Sequence, residues 1–246
     1  MKARNYKNEL AEAVAYFWKK RTEQSEKQGE ASGTKDAGNR SSVTGGAQLD
    51  GFIELFAKIA RDSGLTDSEI HMKETTLPGY YRPTKEWDLV LYADGDLIAS
   101  VEFKSHIGPS FGNNFNNRVE EALGSATDLR TAYREGAMKQ SIKPWMGYFM
   151  LLEDHPKSAT PVKVREPYFP VLPDFKEASY QRRYVEFCRR LVLEGLYDSA
   201  CLLFSAESTG RSGDFTEPST GLDFIQFSAS FIGAITAFIQ NRDMRR

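Results

Sequence analysis

The sequence predicts one mixed α/β domain with a central β-sheet flanked by α-helices. Two observations carry this prediction. Segments whose apolar residues recur at helical spacing alternate with short, β-prone apolar segments, in the order helix, hairpin sheet, helix, strand, helix, strand, helix. Hydrophobic residues occupy 40% of the 246 positions and aromatic residues 12%, which is enough to bury a sizeable core.

The N-terminal part is predicted to contain two helices separated by a loop. Apolar side chains at helical spacing predict an amphipathic helix over residues 5–28. Residues 29–47 contain five glycines, several serines and threonines, and almost nothing apolar, which indicates a mobile loop. A second helix is predicted to begin near Gln48 and to stop at Gly64.

Residues 70–107 are predicted to form strands. The clearest part is a pair of β-prone runs, residues 87–92 and 97–104, separated by Asp94-Gly95. Glycine accepts the positive φ that tight hairpins require, so this dipeptide predicts a hairpin turn.

The remaining elements follow from periodicity and from proline. Five prolines make residues 153–173 an extended excursion. The other predicted elements are a helix over 116–134, a strand over 145–152, a helix over 174–194, a strand over 200–205 and a helix over 222–240. Five phenylalanines at helical intervals are interpreted as core or dimer interface: Phe187, Phe224, Phe227, Phe231 and Phe238.

Composition excludes several classes of protein. The net charge of −2 and the pI near 6.0 exclude a polybasic DNA-coating protein, but they allow a nuclease whose basic residues cluster on one face. Two cysteines give no disulfide scaffold or CxxC zinc site, and we expect both thiols to be buried. The charged N-terminus and the lack of a long apolar run predict a soluble, cytoplasmic protein.

The predicted hairpin contains the candidate catalytic residues. Asp88 lies near the start of its first strand, and Glu102 and Lys104 lie near the end of the second. Residues two apart in a strand share a face, and the hairpin brings both strand ends to one edge of the sheet. The sequence therefore predicts a cluster of two carboxylates and one amine on a rigid support.

That cluster meets the requirements of phosphodiester hydrolysis. Two carboxylates hold Mg²⁺ and leave coordination positions for water and for a phosphate oxygen. A neighbouring lysine orients or deprotonates the attacking water, or balances the charge on the phosphate. A cross-strand salt bridge without catalysis is the alternative interpretation.

Trp87-Asp88 and Glu102-Phe103-Lys104, between two helices, resemble the PD-(D/E)xK nuclease core, with Trp87 in place of the motif's proline. Longer strings resemble type II restriction endonucleases, and over nearly the whole chain they are most similar to the XhoI family. These strings are Arg40-Ser41-Ser42-Val43-Thr44-Gly45-Gly46, Gln48-Leu49-Asp50-Gly51-Phe52, Gly108-Pro109-Ser110-Phe111-Gly112-Asn113-Asn114-Phe115-Asn116-Asn117-Arg118 and Gly124-Ser125-Ala126.

The resemblance implies a restriction-endonuclease fold and a restriction-modification system. The expected enzyme is a Mg²⁺-dependent homodimer that cuts double-stranded DNA at CTCGAG, after the first C of each strand, leaving 5′ overhangs. A cognate DNA methyltransferase is the implied functional partner. The whole chain, residues 1–246, is expected to be one domain. Residues 29–47 would form a DNA-contacting loop, 48–152 the catalytic core, and 153–246 the remainder of the core with helical elaborations.

Further site residues are expected around this core. Glu54, on the helix before the sheet, is a candidate third metal ligand by analogy with the superfamily; the alternative is a solvent-facing acid. Asparagine pairs with adenine and arginine with guanine in the major groove, so the polar segment that begins at residue 113 is a candidate DNA contact. Its alternative role is to cap the following helix. The DNA-facing candidates are Asn39, Arg40, Ser41, Ser42, Ser105, His106, Asn113, Asn114, Asn116, Asn117 and Arg118.

Three other functions compete with this interpretation. A repair or recombination nuclease on the same core would cut by structure or damage instead of sequence. A DNA-binding module with a dead core is disfavoured because both acids and the lysine are present. A structural or protein-interaction domain would use the same charges only as ion pairs.

Overall fold

A computed structural model describes residues 6–32, 46–139 and 141–245. Its centre is a five-stranded sheet. The strands of this sheet are β1 (Ile70–His71), β4 (Leu89–Ala93), β5 (Asp96–His106), β6 (Trp145–Glu153) and β7 (Ser199–Ser205), and they lie side by side in that order. A separate two-stranded hairpin consists of β2 (Thr76–Pro78) and β3 (Thr84–Glu86).

The helices that lie around the sheet follow the predicted order. They are α1 (Lys7–Ser32), α2 (Asp50–Asp62), α3 (Phe111–Arg134), α4 (Pro156–Ala159), α5 (Tyr180–Leu193), α6 (Glu207–Gly210) and α7 (Phe224–Arg245). The mixed α/β fold with a central mixed sheet is thus confirmed. Among the described helices, none combines the length and apolar character needed to cross a membrane.

Strand direction changes within the sheet. β4 and β5 pair antiparallel across the turn at Asp94 and Gly95, whose φ angles are 53° and 91°. The tight hairpin predicted from this dipeptide is confirmed. β5, β6 and β7 run parallel, so the chain must cross over between them, and α3 and α5 lie in these connections.

Two hydrophobic layers cover the sheet. On one face, α1, α2 and α7 pack around Phe56, whose ring lies 5.2–5.9 Å from those of Phe103, Phe224, Phe227 and Phe231. On the other face, α3 and α5 bury a second apolar cluster against β5, β6 and β7. All five phenylalanines interpreted as core or interface are core residues. Both cysteines are free and buried, as expected.

Several predicted boundaries need correction. α1 continues to Ser32, so the expected loop over 29–47 begins later than predicted, and its residues 33–45 lie outside the described chain. α3 begins at Phe111, five residues before the predicted start, with Ser110 at the N-cap position. The proline-rich excursion contains one short helix, α4, where Pro156 occupies the first helical turn and His155 caps it.

The contact between α1 and the C-terminal end of β7 depends on a glycine. The indole Nε1 of Trp18 donates to Oγ of Ser205 at 2.9 Å, inside the core. Gly210 packs directly against both side chains, and a Cβ atom at this position would overlap them.

We therefore expect Gly210→Ala to destabilise the protein by about 1–3 kcal/mol, because the core has no room for a methyl group here. Urea unfolding measures the difference. Gly233→Ala is the matched control, since Gly233 is exposed in α7 with open space around it and alanine favours helix. Equal stability of the two variants would contradict this account of the α1–β7 contact.

Candidate active site

An open cleft of about 790 Å³ lies between α3 and the β2–β3 hairpin. Glu102 and Lys104 of β5 form its floor. The hairpin contributes one wall, with Tyr81, Arg82 and Lys85, and α3 contributes the other, with residues between Arg118 and Asp128. The cleft therefore joins the predicted catalytic strand to the helix that carries the predicted DNA contacts.

Strand register explains why the acids lie together. Leu89 pairs with Val101, so the next position along each strand places Asp88 beside Glu102. Phe103 points into the layer formed by α2, where its ring meets Phe56. Its neighbours Glu102 and Lys104 must therefore point to the opposite face, towards α3.

Glu102 is a buried carboxylate held between two ammonium groups. Glu102 is only 3% exposed to solvent. Nζ of Lys104 lies 2.6 Å from its Oε1, and Nζ of Lys85 lies 2.7 Å from its Oε2. Burial alone would raise the pKa of Glu102, but the two lysines outweigh burial and lower it. Glu102 is therefore ionised at neutral pH.

Asp88 and Lys104 complete the cluster. The backbone N–H of Phe103 donates to Oδ2 of Asp88 at 2.7 Å, and Nζ of Lys104 lies 3.9 Å from the same oxygen. Burial raises the pKa of Asp88, and Lys104 offsets only part of that effect. Burial alone would lower the pKa of Lys104, but the carboxylates of Glu102 and Asp88 raise it. The charge on Lys104 thus shifts the pKa of both carboxyl groups, and both carboxylates shift the pKa of Lys104.

Lys85 is a site residue that the sequence interpretation missed. It lies in β3, and its ammonium group also stacks over the Trp87 ring, 4.2 Å from the ring centroid. The ion pair with Glu102 crosses from the small hairpin to the central sheet, so no local pattern announces it. The one available signal was a lysine three positions before Asp88.

The polar segment at the start of α3 is helical instead of forming a loop. Arg118 lines the cleft and pairs with Glu121, with Nη1 3.0 Å from Oε2. Asn114 is half-buried; the exposed asparagines are Asn113, Asn116 and Asn117. The structure thus brings Arg118 to the catalytic floor and leaves three asparagines open to solvent on the same helix.

His106 and Ser105 do not lie on the cleft surface. His106 ends β5, is 2% exposed, and shares a 2.7 Å hydrogen bond with the hydroxyl of Tyr184 through Nδ1. It is therefore a core residue, and the geometry does not bring it to the surface of the cleft where a phosphate would bind. Ser105 is half-buried and, by strand alternation, points away from the face of Lys104.

Glu54 is exposed on α2, which packs on the face of the sheet opposite Glu102. Within residues 6–32, 46–139 and 141–245, no three His, Cys, Asp or Glu side chains come together as a metal site. The geometry thus gives no support for Glu54 as a third ligand. The loop candidates Asn39, Arg40, Ser41 and Ser42 lie outside the described residues.

Comparison with known proteins gives consistent results. A family model described as restriction endonuclease XhoI matches residues 27–217. The type II restriction enzyme BstVI of Geobacillus stearothermophilus is 51% identical over 209 residues, covering 82% of this chain and 93% of the relative. The type II restriction enzyme XhoI of Xanthomonas vasicola is 50% identical over 185 residues, 74% of this chain and 73% of the relative.

A third relative, the type II restriction enzyme AbrI of Azospirillum brasilense, is 51% identical over 156 residues, which is 63% of this chain and 69% of the relative. No solved structure matches significantly.

The buried histidine gives a pH prediction. Burial lowers the pKa of His106 from 6.5 to about 4. The unfolded chain therefore binds this proton more readily, and the stability contributed by the neutral imidazole is lost as the pH falls from about 6.5 towards about 4. From pH 7 to pH 5 we expect wild type to lose about 2 kcal/mol relative to His106→Gln, which lacks the titrating group. Urea unfolding of both proteins at each pH measures the difference. Parallel stability profiles would contradict this prediction.

Proposed function

The chain belongs to the XhoI family of restriction endonucleases, and on that premise we propose that it hydrolyses phosphodiester bonds of double-stranded DNA with Mg²⁺. The observation that carries the proposal is the buried Glu102 carboxylate, which lies with Lys104 on the floor of an open cleft beside Asp88. A buried carboxylate under an open cleft is unexpected in a domain with a purely structural role, because removing a charge from water costs free energy.

The donor set fits a hard divalent cation. Mg²⁺ in proteins binds through one or two carboxylates and keeps several water or phosphate ligands. Asp88 and Glu102 provide two carboxylates, and the ionised Glu102 already holds cationic groups at both oxygens. Asp88 and Glu102 would hold the ion, and at Oε2 of Glu102 the ion would compete with the ammonium group of Lys85, which lies 2.7 Å from that oxygen.

Bound Mg²⁺ would polarise the phosphorus centre and lower the pKa of a coordinated water. The chain's own residues position the other reactants. Lys104 lies within 3.9 Å of both carboxylates. From there its ammonium group can orient the attacking water or offset the charge that builds on the phosphate. Deprotonating that water would require the neutral amine, which the raised pKa of Lys104 disfavours. Arg118, across the cleft, is placed to bind a phosphate of the same strand.

We extend the proposal to sequence specificity. The expected target is the palindrome CTCGAG, cut after the first C of each strand to leave 5′ overhangs, and a homodimer is expected because two-fold DNA requires a two-fold reader. A cognate DNA methyltransferase would protect the host sites. Support comes from the identity of about half of the aligned residues to three type II restriction enzymes, two of which cover more than 70% of this chain.

Digestion of two plasmids that differ by one CTCGAG site tests activity and specificity together. We expect wild type with Mg²⁺ to linearise only the plasmid that carries the site, and EDTA to abolish cutting. Glu102→Ala should reduce the rate roughly a hundredfold or more, because it removes a metal ligand. Glu207→Ala is the matched glutamate control, because Glu207 is an exposed residue of α6, and this variant should cut like wild type.

Each other outcome has a defined meaning. Cutting of both plasmids would retain the nuclease but reject the specificity, which favours a structure-directed or damage-directed enzyme. Failure to cut either plasmid would reject the proposed reaction. A loss in Glu54→Ala as large as that in Glu102→Ala would restore Glu54 as a ligand, whereas the geometry predicts a rate close to wild type.

A further inference from the structure

The tip of the β2–β3 hairpin, residues 79–83, presents two exposed tyrosines beside the active-site cleft. Tyr80 is 54% exposed and Tyr81 is 71% exposed. Their rings stack edge to face on each other, with centroids 4.9 Å apart and an interplanar angle of 84°. Tyr81 lines the cleft together with Arg82. The hairpin tip therefore offers aromatic surface to solvent next to the catalytic floor.

The hairpin tip is fixed by one buried carboxylate of α3. Asp128 is 3% exposed and lies on the opposite wall of the cleft. Its Oδ1 accepts the backbone N–H groups of Tyr80 and Tyr81 at 2.7 Å each, and its Oδ2 accepts Nε of Arg82 at 2.7 Å. Asp128 thus joins the two walls of the cleft, and both tyrosines are held at their backbone.

Gly79 makes this close approach feasible. A Cβ atom at residue 79 would lie 2.5 Å from the carbonyl oxygen of Arg82 and 2.5 Å from Oδ2 of Asp128. Only glycine therefore allows the carboxylate to approach the turn this closely. The hairpin tip is built to keep a fixed position, which reduces the entropy lost when a partner binds to it.

The position of the tip favours DNA as the partner. A DNA strand whose phosphate reaches Lys104 on the cleft floor would lie against the walls formed by α3 and the hairpin. Arg82 of the hairpin wall uses its Nε for Asp128, but its side chain is 43% exposed, and its positive charge suits a phosphate backbone. Tyrosine hydroxyls donate to phosphate oxygens, and the rings can pack against the sugars of the strand. The aromatic surface and the adjacent guanidinium group match one strand of DNA.

We propose that the hairpin tip is a second DNA-contacting element, in which Tyr81 binds the strand next to the scissile phosphate and Asp128 is the positioning residue for the tip. This inference rests on the proposed DNA cleavage. Tyr81 contributes affinity for the substrate and takes no part in the bond-breaking step, so its loss should raise KM and the Kd for DNA and leave kcat close to that of wild type.

The first experiment compares tyrosine variants. Binding of a fluorescent CTCGAG duplex is measured by anisotropy in Ca²⁺, and steady-state cleavage is measured in Mg²⁺. We expect Tyr81→Ala to weaken binding about tenfold, which corresponds to about 1.4 kcal/mol, because both the ring and its hydroxyl lose their contact with the strand. Tyr92→Ala is the matched control, because Tyr92 is 48% exposed at the end of β4 remote from Asp88. Tyr81→Phe separates ring stacking from a hydroxyl contact.

The second experiment is a double-mutant cycle with Asp128→Asn. If Asp128 acts by positioning the hairpin tip, Asp128→Asn weakens DNA binding in the wild-type background. In the Tyr81→Ala background the same substitution causes little further loss of DNA affinity. Additive effects would overturn its positioning role. Tyr81 is largely exposed, so Tyr81→Ala tests the DNA contact even if Asp128→Asn fails to fold.

The outcomes separate this inference from the proposed function. Wild type that neither binds nor cuts DNA rejects the proposed function. Wild type that binds and cuts, while Tyr81→Ala and Tyr92→Ala behave alike, rejects the hairpin tip alone. A Tyr81→Ala protein with a lower oligomeric state by sedimentation, and unchanged DNA affinity per dimer, assigns the tyrosines to a protein interface and overturns the DNA contact.

Discussion

The arrangement of the site depends on compensation of one buried negative charge. Glu102 is almost fully enclosed, and an ionised carboxylate in such a place requires nearby cations. Lys104 comes from the same strand, whereas Lys85 comes from a different sheet. The second cation is available only if the β2–β3 hairpin lies over the end of β5. The electrostatics of Glu102 thus link the small hairpin to the central sheet, and Asp128 links the same hairpin to α3.

The central sheet separates this charge cluster from the main hydrophobic core, because the two lie on opposite faces of the sheet. Ala99, Val101 and Phe103 of β5 belong to the core around Phe56, whereas Glu102 and Lys104 of the same strand line the cleft. Phe103 contributes to both the core and the site: its ring packs against Phe56, and its backbone N–H donates a hydrogen bond to Asp88. The positions of both carboxylates therefore depend on the same strand, which places them with the precision of a sheet instead of a loop.

Local patterns were sufficient to predict part of the fold and of the site. Asp94-Gly95 determines the hairpin, and strand alternation determines that Glu102 and Lys104 share a face. Lys85, Asp128 and the tyrosine tip escaped prediction because their contacts join residues distant in sequence. Glu54 and His106 stay predictions that the geometry does not support. Analogy with the nuclease superfamily suggested Glu54, but helix packing puts it on the face of the sheet opposite Glu102. His106 was suggested because it directly follows Lys104 and Ser105, but packing buries it.

Isothermal titration with Mn²⁺ alone, in the absence of DNA, tests most directly whether Glu102 holds a metal ion in exchange for Lys85. Wild type, Glu102→Gln and Lys85→Met are the proteins to compare. We expect wild type to bind Mn²⁺, Glu102→Gln to lose this binding, and Lys85→Met to bind more tightly because no ammonium group competes for Oε2. Wild-type affinity in Glu102→Gln, or weaker binding in Lys85→Met, would contradict it.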